Sequence, residues 1–258
     1  SYFLDINCLS ESILIEMDCV ESTQSRMKDY VFICFFLGND FLPHFSALNI
    51  RTHGMDVLMN VYRKHIGNFP DRSLISNETD GIQWKYVKLF ITELAKLEHS
   101  LINTEYLNRE KFGKRRFPET TKKDREDLVL NAPVIYRQTE KYICPTEEGW
   151  EVRYYKMLFP ENIDVNDVCI NYLEGLEWVY KYYTEDCEDW GWRYRYNMSP
   201  LLCSLRGVCV ECGVLGDAIE RVALSEEIAL KYVLPSRSSS SLFEWSYSRY
   251  FWESHPLL

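Results

Sequence analysis

The amino-acid sequence predicts a mainly α-helical protein with few or no strands. Apolar residues recur at helical spacing in several segments, the period-2 alternation of a half-buried strand is rare, and glycine or proline closes the clearest apolar runs. With 258 residues, 46% of them hydrophobic, the chain is long enough to bury a sizeable core.

The predicted elements follow in order. Met27, Tyr30, Val31 and Cys34 start a first helix, which runs through the apolar stretch from Val31 to Leu37 and stops at Gly38. Met55, Leu58, Met59 and Tyr62 form one face of a second, ending near Gly67 and Pro70. Val87, Ile91, Leu94 and Leu101 mark a long helix from about Gln83 to Asn103. Tyr172, Leu176, Val179, Tyr180 and Tyr183 give a fourth, and Ile219, Val222, Ile228 and Leu230 suggest shorter ones later. Between Asn108 and Arg125 eight Lys and Arg stand among polar residues, which reads either as a solvated insertion or as a patch that tracks phosphates. The stretch from Leu234 to Ser241 is too polar to be core.

Composition narrows the function classes. A formal net charge of −10 excludes a chain that is basic over its whole surface, but it leaves open an enzyme that holds divalent cations among carboxylates. Eighteen Tyr, 13 Phe and 7 Trp favour either a thick aromatic core or a surface on which flat groups stack. The longest apolar run has seven residues, far short of the roughly 20 that cross a bilayer, so no membrane partner is expected. Nine cysteines, an odd number with several inside apolar helices such as Cys34 and Cys169, read as reduced core thiols of an intracellular protein. Cys209 and Cys212 lack the second pair that a structural zinc site needs. Ser1, followed directly by an apolar pattern, suggests a later part of a longer product.

The stretch that carries chemistry is Gly38-Asn39-Asp40-Phe41-Leu42-Pro43-His44. The apolar helix is a buried rod, Gly38 ends it, and Asn39 and Asp40 stand at its mouth. A carboxylate held there suits a hard cation such as Mg²⁺, which takes oxygen ligands; alternatively Asn39 and Asp40 cap and turn the chain. The whole run from Asp29 to His44 closely resembles the signature of the Xrn family of 5′-to-3′ exoribonucleases, in which an apolar helix leads into GNDFLPH. The resemblance continues in Leu48-Asn49-Ile50-Arg51 and Gly54-Met55-Asp56. It resumes at Arg153-Tyr154-Tyr155-Lys156, in the helix from Tyr172 to Tyr183 with its Glu174-Gly175 and Trp178, and at Trp190-Gly191-Trp192. The matching blocks stand in the family's order from Asp29 to about Pro200.

The resemblance implies that residues 1–258 are the helical domain of an Xrn-type nuclease core, its second part, with 104–150 a partly flexible insertion and 234–258 a tail segment. It implies that Asp40 is the catalytic carboxylate and a ligand of Mg²⁺ (or Mn²⁺) in a two-cation hydrolysis. Trp190 or Trp192 is expected to stack on an RNA base, with Asn39, His44 and Asn197 also at the RNA interface. The implied substrate is single-stranded RNA with a 5′-monophosphate. The implied partner is an N-terminal nuclease half of the same protein, carrying the remaining acidic ligands and the 5′-phosphate pocket. The isolated chain is therefore expected to be inactive. Glu185, Asp186, Glu188 and Asp189 read as a solvated charge run and not as substitute ligands. One departure stands out: the family follows W-x-W with a Tyr-Pro-x-His-Tyr-Ala-Pro run, whereas this chain has Arg195-Tyr196-Asn197-Met198-Ser199-Pro200. Asn197 replaces the His and cannot take a proton. A catalytically silent RNA- or protein-binding relative is the alternative reading. The expected compartment is the cytoplasm sooner than the nucleus.

Overall fold

Helices form where apolar residues repeat at helical spacing, and a computed structural model gathers them around one apolar core. The structure describes residues 3–20, 24–114, 118–126, 128, 137–185, 187 and 189–211. Among these residues there is no strand, only an isolated antiparallel bridge between Ile75 and Ile82. No helix among them is long and apolar enough to cross a membrane.

Helix α1 (Ile6–Met17) begins at Asp5, whose carboxylate accepts hydrogen bonds from the Asn7 and Cys8 backbone N–H groups at 2.9 and 3.2 Å. Helix α2 (Gln24–Cys34) tightens into a 3-10 turn over Phe35–Leu37 and buries Phe32, Ile33, Phe35, Phe36 and Leu37. Gly38 ends that rod at φ 84°, where a Cβ would lie 2.8 Å from the His44 backbone nitrogen. Only glycine allows both that backbone and that approach. Helix α3 (Gly54–Tyr62) continues as a π turn over Arg63–Gly67.

Helix α4 (Trp84–Gly113) runs well past the expected end at Asn103. Ile102 and Tyr106 are buried on it, and Arg109, which the sequence placed in a solvated basic stretch, is buried between Glu105 and Glu140 at 2.8 Å from each. The other long element is α7 (Val165–Thr184), opened by Asp164, whose carboxylate accepts from the Asn166 N–H at 2.8 Å. Of the predicted face it buries Tyr172, Leu176, Val179 and Tyr180, while Tyr183, in its last turn, is exposed.

Helices α1, α5 (Gln138–Ile143), α6 (Trp150–Leu158) and α8 (Leu202–Glu211) were not expected. Of these, α1 buries only Met17 and α5 and α6 bury two residues each, so their periodicity is weak, whereas α8 buries Leu202, Leu205 and Val208 along one face. The expected helices around Ile219 to Leu230, the Cys209/Cys212 pair as side chains, and the segment 234–258 lie outside the described residues. The seven cysteines whose side chains are described form no disulfide; Cys169 is buried and Cys8 exposed.

Candidate functional site

The turn after Gly38 is built from its own side chains and from two helices behind it. Asn39 Oδ1 accepts from the Phe41 and Leu42 N–H groups, each at 2.9 Å, while the Asn39 N–H donates to the Leu42 carbonyl at 2.9 Å. Asn39 is therefore the capping residue, and its amide oxygen is occupied. From α7 the Tyr172 hydroxyl donates to the Pro43 carbonyl at 2.8 Å. From α6 the Tyr154 hydroxyl lies 3.1 Å from Ser46 Oγ and donates to the Ser199 carbonyl at 2.8 Å. Burial drives both hydroxyls far above the usual phenol range, so they stay protonated donors.

That division of labour leaves Asp40 free. Its side chain is exposed and makes no hydrogen bond or ion pair with the described residues. It sits at a small hollow lined by Asn39, Asp40, Phe41, Leu42 and Pro43 on one side and by Tyr194, Tyr196 and Asn197 on the other. His44, expected at the RNA interface, does not line the hollow; it is buried behind the turn against Gly38.

A divalent cation needs more than this. Among the described residues no group of three His, Cys, Asp or Glu side chains could hold a metal ion. Asp40 supplies one carboxylate, and the neighbouring amide oxygen is already engaged. The described residues do not by themselves fit Mg²⁺, which takes six oxygens.

The two tryptophans of the Trp190-Gly191-Trp192 block have different surroundings. Trp192 stacks on Trp178 at 5.2 Å and 24°, and Trp178 stacks on Tyr182 at 5.3 Å and 13°. Phe41, beside Asp40, meets both Trp178 and Tyr182 edge-on at 4.9 Å. Gly175 makes room for this ladder: a Cβ there would lie 2.6 Å from both Trp192 and Leu42. Trp190, by contrast, is 79% exposed and touches the ladder only edge-on, through Tyr182 at 6.2 Å. Asp189 shapes the loop between them, accepting from the Gly191 N–H at its carboxylate (2.7 Å) and from Trp178 Nε1 at its carbonyl (2.8 Å). Within the acidic run, Asp189 is thus a loop-building residue, while Asp186 and Glu188 lie outside the described residues.

The structure brings Asn39, Asp40 and Asn197 to one hollow, and it sets Trp190 on a ladder that Phe41 also meets, both through Tyr182. Tyr194 and Tyr196, neither of them a predicted site residue, form the far wall; the signal for Tyr196 is its place in the run after W-x-W, and for Tyr194 the i, i+2 spacing from it.

Comparison with known proteins adds the lineage. The family model for the Xrn1 helical domain matches residues 22–145 and 139–210. The chain belongs to this family. A 5′-3′ exoribonuclease 2 homolog of Drosophila melanogaster is 26% identical over 69% of this chain and 24% of its own length. The 5′-3′ exoribonuclease 2 of Gallus gallus is 24% identical over 72% of this chain and 26% of its own length. That of Chaetomium globosum is 21% identical over 99% of this chain and 36% of its own length. The chain thus spans about a quarter to a third of the length of these curated relatives. The family's two matched stretches take in the turn at Asp40, the hollow's far wall and the aromatic ladder.

Proposed function

We propose that this chain is the helical second part of a 5′-to-3′ exoribonuclease that degrades single-stranded, 5′-monophosphorylated RNA with a divalent cation, Mg²⁺ or Mn²⁺. In this reading Asp40 is one carboxylate of a cation site whose other ligands come from an N-terminal nuclease half of the same protein. The observation that carries it is the split within the turn: Asn39 satisfies the local backbone, and the Asp40 carboxylate stands exposed at the hollow with no protein partner among the described residues. A carboxylate spent on capping would not be available to a cation. Relatives named 5′-3′ exoribonuclease 2 support the activity, and the exposed Trp190 supplies a flat face for a base.

The chain's own residues then orient and bind, and the cation-dependent chemistry belongs to the completed site. The test is Asp40→Ala in the full-length protein, with digestion of 5′-monophosphorylated RNA followed in Mg²⁺. The expected loss exceeds ~100-fold, since even outer-shell partners of a metal cost about 10–100-fold, while the thermal melt stays unchanged because the side chain is exposed. Undiminished digestion would remove Asp40 from the site. Asn197, which cannot exchange a proton, favours a second reading: a silent relative that binds RNA without cutting it. Wild-type protein that binds RNA but digests none of it would establish that reading instead.

A further inference from the structure

We propose that Arg195 is a contact for an RNA backbone phosphate and that Asn171 is the residue that positions it. This rests on the RNA-binding reading above and deepens it beside the same hollow. Arg195 stands between Tyr194 and Tyr196, both of which line the hollow, and two residues before Asn197. Asn171, on α7, is only 3% exposed. Its Oδ1 accepts from the Arg195 backbone N–H at 3.0 Å and from Arg195 Nε at 3.4 Å, while its Nδ2 donates to Glu174 Oε2 at 3.1 Å. The Glu174 carboxylate can only accept, so it fixes which way the amide faces and keeps Oδ1 turned to Arg195. The Arg195 guanidinium carbon lies 5.9 Å from the Tyr196 ring centroid, within cation–π reach.

A buried amide thus orients the base of an exposed guanidinium whose terminal nitrogens face no carboxylate within 4 Å among the described residues. Other arginines of the fold are consumed internally: Arg26 by Asp29 and by carbonyls, Arg109 by two glutamates, Arg153 by four backbone carbonyls. Arg195 is held like a structural arginine but keeps its paired donors for something outside the chain. A forked, weakly hydrated cation beside an open hollow matches a phosphate diester. On a chain of net charge −10, a placed cation beside the hollow adds a local attraction for phosphate.

The experiment measures equilibrium binding of a fluorescein-labelled single-stranded oligouridine RNA to the full-length protein, without divalent cation, across a salt series. Arg195→Ala should weaken binding about tenfold, and the dependence of log K on log salt should become shallower by about 0.7, the increment for one phosphate contact on a single strand. Arg195→Lys should keep the salt slope. Asn171→Ala should weaken binding severalfold in the wild-type background and have no further effect in the Arg195→Ala background, because a positioning residue acts only through the group it positions. Unchanged affinity and slope in Arg195→Ala would overturn the proposal. Equal losses from Asn171→Ala in both backgrounds would reduce Asn171 to a structural residue. Because Arg195 is exposed, its variants keep the test decisive whatever Asn171→Ala does to folding. Wild-type protein with no affinity for the RNA would remove the parent reading together with this one. Intact wild-type binding with an indifferent Arg195 removes this one alone.

Discussion

The tryptophans at 190 and 192 are two residues apart and chemically identical, yet their environments assign them opposite expectations. Trp192 lies on the ring of Trp178 and fills the space that Gly175 leaves open. Replacing it by Ala removes a stacked ring from partly buried packing, and we expect a loss of about 3 kcal/mol in chemical denaturation. Trp190→Ala should leave the denaturation midpoint within experimental error and lower affinity for single-stranded RNA by about 1–3 kcal/mol, the range for one base–aromatic stack. If Trp190→Ala destabilises the fold and spares RNA affinity, the stacking role is wrong. The sequence could not separate the two positions, because exposure depends on where α7 and the turn at Asp40 converge. It did single out the pair, because two tryptophans one glycine apart in a family-like block are conspicuous.

Among the elements, the joint between α4 and α8 is the most consequential polar contact. Glu98, on α4 and 2% exposed, accepts from the Leu202 and Cys203 N–H groups at 2.6 and 2.8 Å, so a side chain from one helix caps the N-terminus of another. Burial pushes its carboxyl from the ordinary 4.5 up to about 7, against the lowering by those two donors. The folded chain therefore holds a proton between those values that the unfolded chain has released. The stability this contributes is fully present below pH ~4.5 and is lost as pH rises through about 7, amounting to ~3 kcal/mol at 1.36 kcal/mol per unit. Denaturant melts from pH 5 to 8 should show wild type losing stability relative to Glu98→Gln over that window; parallel curves would refute the assignment. Periodicity shows Leu94 and Ile91 facing inward, but it shows no partner for a glutamate in the same face. That partner lies more than a hundred residues away, at the start of α8, and no local window joins the two.

At the scale of the whole molecule, Asp29 joins three parts of the chain. It is fully buried, its Oδ1 accepts from the Leu74 and Ile75 N–H groups at 2.9 and 2.8 Å, and its Oδ2 accepts from the Tyr62 hydroxyl at 2.5 Å. Arg26, 3.7 Å away, extends the network to the Phe69 and Arg72 carbonyls. Asp29→Ala would leave the buried Arg26 guanidinium without its counter-charge and three donors without their acceptor, at a cost of roughly 3–5 kcal/mol. Asp29→Asn should cost less, since one oxygen can still serve Leu74 and Ile75. Urea melts of both variants check this, and an Asn variant as damaged as the Ala variant would contradict it. Asp29 opens the family-like block, yet nothing in its sequence neighbourhood distinguishes a structural aspartate from the chemical one at position 40.

Local pattern alone determined the helical class, the long rods of α2, α4 and α7, the glycine stop at Gly38 and the family-like block around Asp40, because backbone periodicity and turn chemistry act over a few residues. Only the tertiary structure decided that Asn39 caps while Asp40 stays open, that Trp192 is packing while Trp190 faces solvent, and that Arg109 is buried while Arg195 is not. Each of those outcomes depends on which distant side chain arrives to satisfy a charge, a donor or a flat face. That is a property of the assembled core, and no window of sequence contains it.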